Sequence, residues 1–213
     1  MHIYAFGSVC RGEIDTVSDI DLLALVDGFD KRFDPAKYSI YSYAKMRSLW
    51  SRGSPFALHL SIESRLLFAS DGQDFLSALG EPQRYRAYVA DCEKFLDAFK
   101  QAQQSLRDGA SSRVFDLSTA FLSIRNISTC YALGVLGQPN FSRHAAIQLP
   151  NSPFPSDAYR IMERARILAT RAAGDDITEP EAGLVLDDLP KITSWMEGIV
   201  NEAREYERIQ QSG

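Results

Sequence analysis

The sequence predicts an α+β chain, a small mixed sheet followed by an antiparallel helical bundle. Short β-rich segments fill the first third, and from Pro82 onward the apolar residues change to three-to-four spacing. No internal repeat or low-complexity stretch breaks either part. The boundary is expected near residues 78–84, which gives domains of 1–80 and 81–213.

Residues 2–6 (HIYAF) and 19–26 (DIDLLALV) read as strands, joined through Gly7, Gly12 and Asp15. A third strand is expected over 38–43 (YSIYSY) from its β-propensity. Residues 44–52 then read as a short helix stopped by Gly53. Ser54-Pro55 supplies an N-cap and a first-turn proline for a second helix to about Ser64. Residues 65–69 (RLLFA) make the last strand, closed by Ser70-Asp71-Gly72.

In the helical half, Tyr85, Tyr88, Cys92, Phe95 and Phe99 share one stripe. Residues 112–136 are apolar on nearly every face, so this helix is expected at the centre of the bundle. Ser142 is expected to cap a short helix to about Leu149, and Pro150–Pro155 to form a loop. A helix over 156–173 ends at Gly174; in the last helix Pro190 is expected in the first turn, near a cap at Asp187 or Asp188.

Composition narrows the function classes. A net charge of −5 without long runs of one sign argues against a dedicated nucleic-acid surface. Cys10, Cys92 and Cys130 are too scattered for a disulfide framework or a zinc site, which favours a reducing cytoplasm. No run reaches the roughly 18 apolar residues needed to span a membrane. Exposed short strands and apolar bundle faces are compatible with a homodimer.

The chemistry concentrates in residues 6–22, which read Phe-Gly-Ser, ten residues, then Asp-Ile-Asp-Leu. Asp19 and Asp21 are two apart on a strand, so their carboxylates leave the same face. Such a pair repels itself unless a cation shares it, and hard oxygens suit Mg²⁺ held together with triphosphate oxygens. Gly7 permits close backbone approach to a phosphate, which the Ser8 hydroxyl and nearby N–H groups would cradle. Ser18 and Asp15 shape the turn before the metal strand.

This pattern of Gly7-Ser8, Arg11, Gly12 and Ser18-Asp19-Ile20-Asp21-Leu22 resembles the signature of the polymerase β-like nucleotidyltransferase superfamily. It looks like small bacterial nucleotidyltransferases of the antitoxin type and aminoglycoside nucleotidyltransferases with helical C-terminal domains. The resemblance implies a small mixed-sheet nucleotidyltransferase domain followed by the bundle. It also implies Mg²⁺ on Asp19 and Asp21, an NTP substrate with ATP the expected one, and transfer of a nucleoside monophosphate. The acceptor would be a hydroxyl on a small molecule or partner protein.

Active relatives add a third carboxylate on the next strand. Here that strand offers Ser39 or Tyr41 and no acid. A catalytically degenerate nucleotide-binding or antitoxin-type regulatory module is therefore the alternative. His59 and Glu63, neighbours at i and i+4 on a helix, are the substitutes, with His59 as a proton acceptor. Their other reading is a surface or interface pair; if 56–62 is a strand, His59 itself takes the third position. Arg11 either neutralises triphosphate charge or is simply exposed. Arg125-Asn126 with Cys130-Tyr131 resembles the Arg-Asn…His signature of HEPN bundles, with Cys130 where histidine is expected. Arg125 then either meets phosphate or acceptor in an interdomain cleft or is paired inside the bundle.

Overall fold

Four short strands build one mixed sheet in the order β3-β2-β1-β4. The computed structural model describes residues 1–13, 20–28, 30–109, 112–154 and 156–212. Strand β1 (His2–Phe6) is antiparallel to β2 (Asp21–Leu25) and to β4 (Ser64–Ala69), and β2 is parallel to β3 (Tyr38–Tyr41). The expected start of β2 at Asp19 lies outside the described residues.

The chain divides into two units, Met1–Arg86 and Ala87–Gly213. In the first, α1 (Ser8–Arg11) follows β1, while α2 (Tyr43–Ser51) and α3 (Pro55–Glu63) connect β3 to β4; α4 (Phe75–Ala78) comes after β4. The strand alternative for 56–62 is not adopted. Ser42 Oγ accepts the Lys45 N–H at 3.1 Å and Ser54 Oγ the Ala57 N–H at 3.2 Å, so each helix starts on a side-chain cap. Gly53 is needed between them, because φ is +59° and an added Cβ would lie 2.1 Å from the Gln83 carbonyl oxygen.

One sheet face carries Tyr4, Phe6, Leu23 and Leu25, packed against Met46, Trp50, Ala57 and Leu60 of α2 and α3. Burying each of the larger side chains contributes about 1.5–3 kcal/mol. Asp21 has the parity of Leu23 and Leu25, so the strand that anchors the core also aims this carboxylate along the helix-covered face. The opposite face buries Ala24 and Val26 with Phe33.

The second unit is helical: α5 (Tyr88–Asp108), α6 (Arg113–Tyr131), α7 (Ser156–Arg171) and α8 (Glu179–Ser212). Helix α6 packs on the other three and buries residues on most of its faces, Leu117, Ala120, Ile124 and Ile127 among them. It passes into a π-helical turn at Ala132–Leu136.

Two expectations are corrected here. Residues 142–149 form turns, because Ser142 Oγ accepts the His144 N–H at 2.9 Å and the backbone bonds Ala145→Ser142 and Leu149→Ala146 span only three residues. Helix α8 begins at Glu179, so Pro190 stands inside it and not in its first turn. Its start is a capping box: the Glu181 N–H donates to Thr178 Oγ1 at 3.4 Å and the Thr178 N–H to Glu181 Oε2 at 2.9 Å. Among the described residues no helix is long and apolar enough to cross a membrane.

Candidate active site

Two strand ends and one turn meet at Asp21. In the antiparallel β1–β2 ladder Phe6 is opposite Asp21, which puts Gly7 beside the carboxylate. Gly7 has φ +77°, and a Cβ built on it would fall 2.5 Å from Asp21 Oδ2. Only glycine fits both the turn and that approach. Asp21 itself is exposed.

Ser8 opens α1, a single turn held by Cys10 and Arg11 N–H groups donating to the Gly7 carbonyl at 3.0 and 3.3 Å. Arg11 ends it. Its Nε donates to Glu13 Oε2 at 2.9 Å, and its Nη1 donates to Glu63 Oε2. His59 Nε2 lies 2.8 Å from the same Glu63 oxygen. A carboxylate has no proton to give, so the ring nitrogen facing it is the donor. The His59 ring stands edge-on to Phe6, centroids 5.6 Å apart. The predicted residues Gly7, Ser8, Arg11, Asp21, His59 and Glu63 are thus gathered around one end of β1.

Cys10 reports the local charges. Burial pushes its thiol up, Arg65 pulls it down, Glu63 pushes it up, Arg11 pulls it down and Asp21 pushes it up. Two cations and two anions surround a half-buried thiol that donates to the Ala5 carbonyl at 3.4 Å.

Asp21 also lines an open groove of about 500 Å³, together with Leu22, Pro35, Lys37, Tyr38 and Ser39 among others. The parallel register sets Leu22 beside Tyr38 and Leu23 beside Ser39. Ser39 and Tyr41 therefore share the Asp21 face, and Lys37 sits one step before β3 at the level of Asp21. Sequence reasoning missed Lys37; the Asp34-Pro35 turn that delivers it was visible, but its level beside Asp21 depends on the strand register.

Asp19 and Ser18 lie outside the described residues. Arg125 belongs to the second unit, where its Nη2 donates to the Phe141 carbonyl at 2.8 Å and its Nε to that of Ser142 at 3.4 Å. It ties the 141–142 segment to α6.

No group of three His, Cys, Asp or Glu side chains is gathered to hold a metal among the described residues. The donors present still fit a hard divalent cation. Asp21 offers carboxylate oxygen, and it closes on the Gly7 backbone where a side chain on residue 7 would collide with it. A cation that takes one or two carboxylates and completes its shell from substrate phosphates needs no all-protein cage.

Residues 2–78 match the family model of the nucleotidyltransferase domain. No curated protein and no solved structure matches the chain. The matched segment contains the Gly7 turn, Asp21, His59 and Glu63, and the helical unit follows it. Residues 2–78 are a nucleotidyltransferase domain of the polymerase β-like superfamily, with a helical region after it.

Proposed function

We propose that this domain transfers a nucleoside monophosphate from a nucleoside triphosphate, ATP in our reading, to a hydroxyl on a protein or small molecule. The observation that carries the reading is the approach of Asp21 to Gly7, so close that a Cβ on Gly7 would lie 2.5 Å from Asp21 Oδ2. Asp21 and Asp19 would hold Mg²⁺ together with the triphosphate. The cation would neutralise phosphate charge and make the α-phosphorus more electrophilic. Ser8, Ser18 and Arg11 bind phosphate oxygens, with Arg11 supplying a fixed positive charge.

The acceptor hydroxyl forms a bond to the α-phosphorus while the bond to the bridging oxygen breaks and pyrophosphate leaves. Its proton passes to the His59 imidazole, which Glu63 orients through Nε2. The groove beside Asp21 takes the acceptor or nucleoside, and the Lys37 ammonium at its rim favours an anionic group there. The test is incorporation of α-labelled ATP with a cell extract as acceptor source. Asp21→Ala and Asp19→Ala are expected to abolish labelling while the circular dichroism spectrum is kept. Equal labelling by the mutants rejects the reading.

One observation favours a second reading. Strand β3, Tyr38–Tyr41, presents Ser39 and Tyr41 on the Asp21 face and no carboxylate. A module that holds nucleotide and regulates a partner without turnover fits that strand. Calorimetric binding of Mg–ATP with no pyrophosphate release supports the module, and release with a defined acceptor rejects it.

A further inference from the structure

Glu63 grips the Gly7–Arg11 turn at both ends. Its carbonyl accepts the Gly7 N–H at 3.2 Å, and its carboxylate accepts from Arg11 Nη1 at the end of α1. A helix of four residues has too few internal bonds to fix its own position, so outside ties set it. The carboxylate is 11% exposed and is satisfied by two donors, His59 Nε2 and Arg11 Nη1.

Arg11 has a second anion of a different kind. Its Nε and Nη2 both lie 2.9 Å from Glu13 Oε2, and the Glu13 side chain is 52% exposed. That Nε–Nη2 edge has the spacing of two phosphate oxygens. An exposed ion pair contributes little and exchanges readily, whereas stripping a nearly buried carboxylate of its cation is costly. An incoming phosphate therefore displaces Glu13 and leaves Glu63 in place.

We propose that Glu63 is the positioning residue of the nucleotide site and Glu13 the exchangeable counter-ion of Arg11. Arg11 keeps Nη1 on Glu63 and turns its Nε–Nη2 edge from Glu13 to a phosphate of the nucleoside triphosphate. This rests on the nucleotide-binding reading above. It assigns opposite effects to two glutamates that touch the same guanidinium.

Mg–ATP is titrated calorimetrically into the full chain and into Glu13→Gln, Glu63→Ala and Glu63→Gln variants. Glu13→Gln is expected to bind about two- to fivefold tighter. Glu63→Ala is expected to bind about tenfold or more weakly, and Glu63→Gln, which still accepts both hydrogen bonds, within about twofold of the parent. Hydrogen exchange of the 7–13 amides is read in parallel without ligand. It is expected to speed up in Glu63→Ala and to stay unchanged in Glu13→Gln. Unchanged or weaker binding by Glu13→Gln overturns the exchange. Parental binding and exchange in Glu63→Ala, or Glu63→Gln as weak as Glu63→Ala, overturns the positioning role. If Glu63→Ala does not fold, the two glutamine variants decide. If the parent binds no Mg–ATP, the nucleotide reading and the exchange fall together, and the exchange rates of the 7–13 amides still decide whether Glu63 holds the turn.

Discussion

In the first unit Arg11, Glu63 and His59 meet with side chains 19%, 11% and 14% exposed, whereas in the second unit Lys100–Glu197 and Arg204–Glu93 pair with side chains 40–56% exposed. Both arrangements are ion pairs between distant segments, but their energetics differ. The exposed pairs are screened by water and contribute about 0–1 kcal/mol each. The half-buried cluster has lost most of its hydration and is held only by mutual satisfaction; apolar side chains of similar volume would serve stability as well or better. Under the proposed function, that retained charge is what would meet phosphate.

The contrast is most sharply broken at Gly7. Gly7→Ala forces a Cβ to 2.5 Å from Asp21 Oδ2 at φ +77°. We expect a loss of about 1–3 kcal/mol in urea unfolding from backbone strain alone, together with loss of Mg–ATP binding. Full binding in that variant would separate the turn from the carboxylate.

A middle case is Glu181 at the start of α8. Arg164 and the Thr178 N–H and hydroxyl hold its carboxyl down to about 2. Against the ordinary glutamate value of 4.5, the folded form is the stronger acid, so the stabilisation is full above the unfolded value and disappears as pH falls toward 2. Thermal melts of the parent and Glu181→Gln should differ at pH 6 and converge on acidification. A gap that persists at the acid end would assign the effect to shape and not to charge.

The smallest effect belongs to the exposed pairs. Arg204→Gln removes the 2.6 Å contact to Glu93 and is expected to change stability by less than about 1 kcal/mol in urea titration. A loss of several kcal/mol would erase the distinction between the two kinds of cluster.

Local signals made much of this legible. The Ser54 cap, Pro55 and the run Asp21–Leu25 each act within a few residues, and so does the i,i+4 relation of His59 and Glu63. Missed features had two causes. Some local signals competed: Pro190 suggested a helix start and drew weight from Thr178 and Glu181, whose capping box sets the true one. Others carry no local trace. Arg11 and Glu63 are 52 positions apart, and only the pairing of β1 with β4 brings the end of α3 to the Gly7 turn. Lys37 reaches the level of Asp21 by strand register in the same way.

In the proposed function, Asp21 and the Gly7 turn serve nucleotidyl transfer. Its most direct measurement is pyrophosphate release from Mg–ATP in the presence of cell extract, by the parent and by Asp21→Asn, which keeps the shape and removes the charge. The parent is expected to release pyrophosphate in step with nucleotide incorporation, and Asp21→Asn at a rate lower by about 100-fold or more. Equal release by the two proteins would contradict the account.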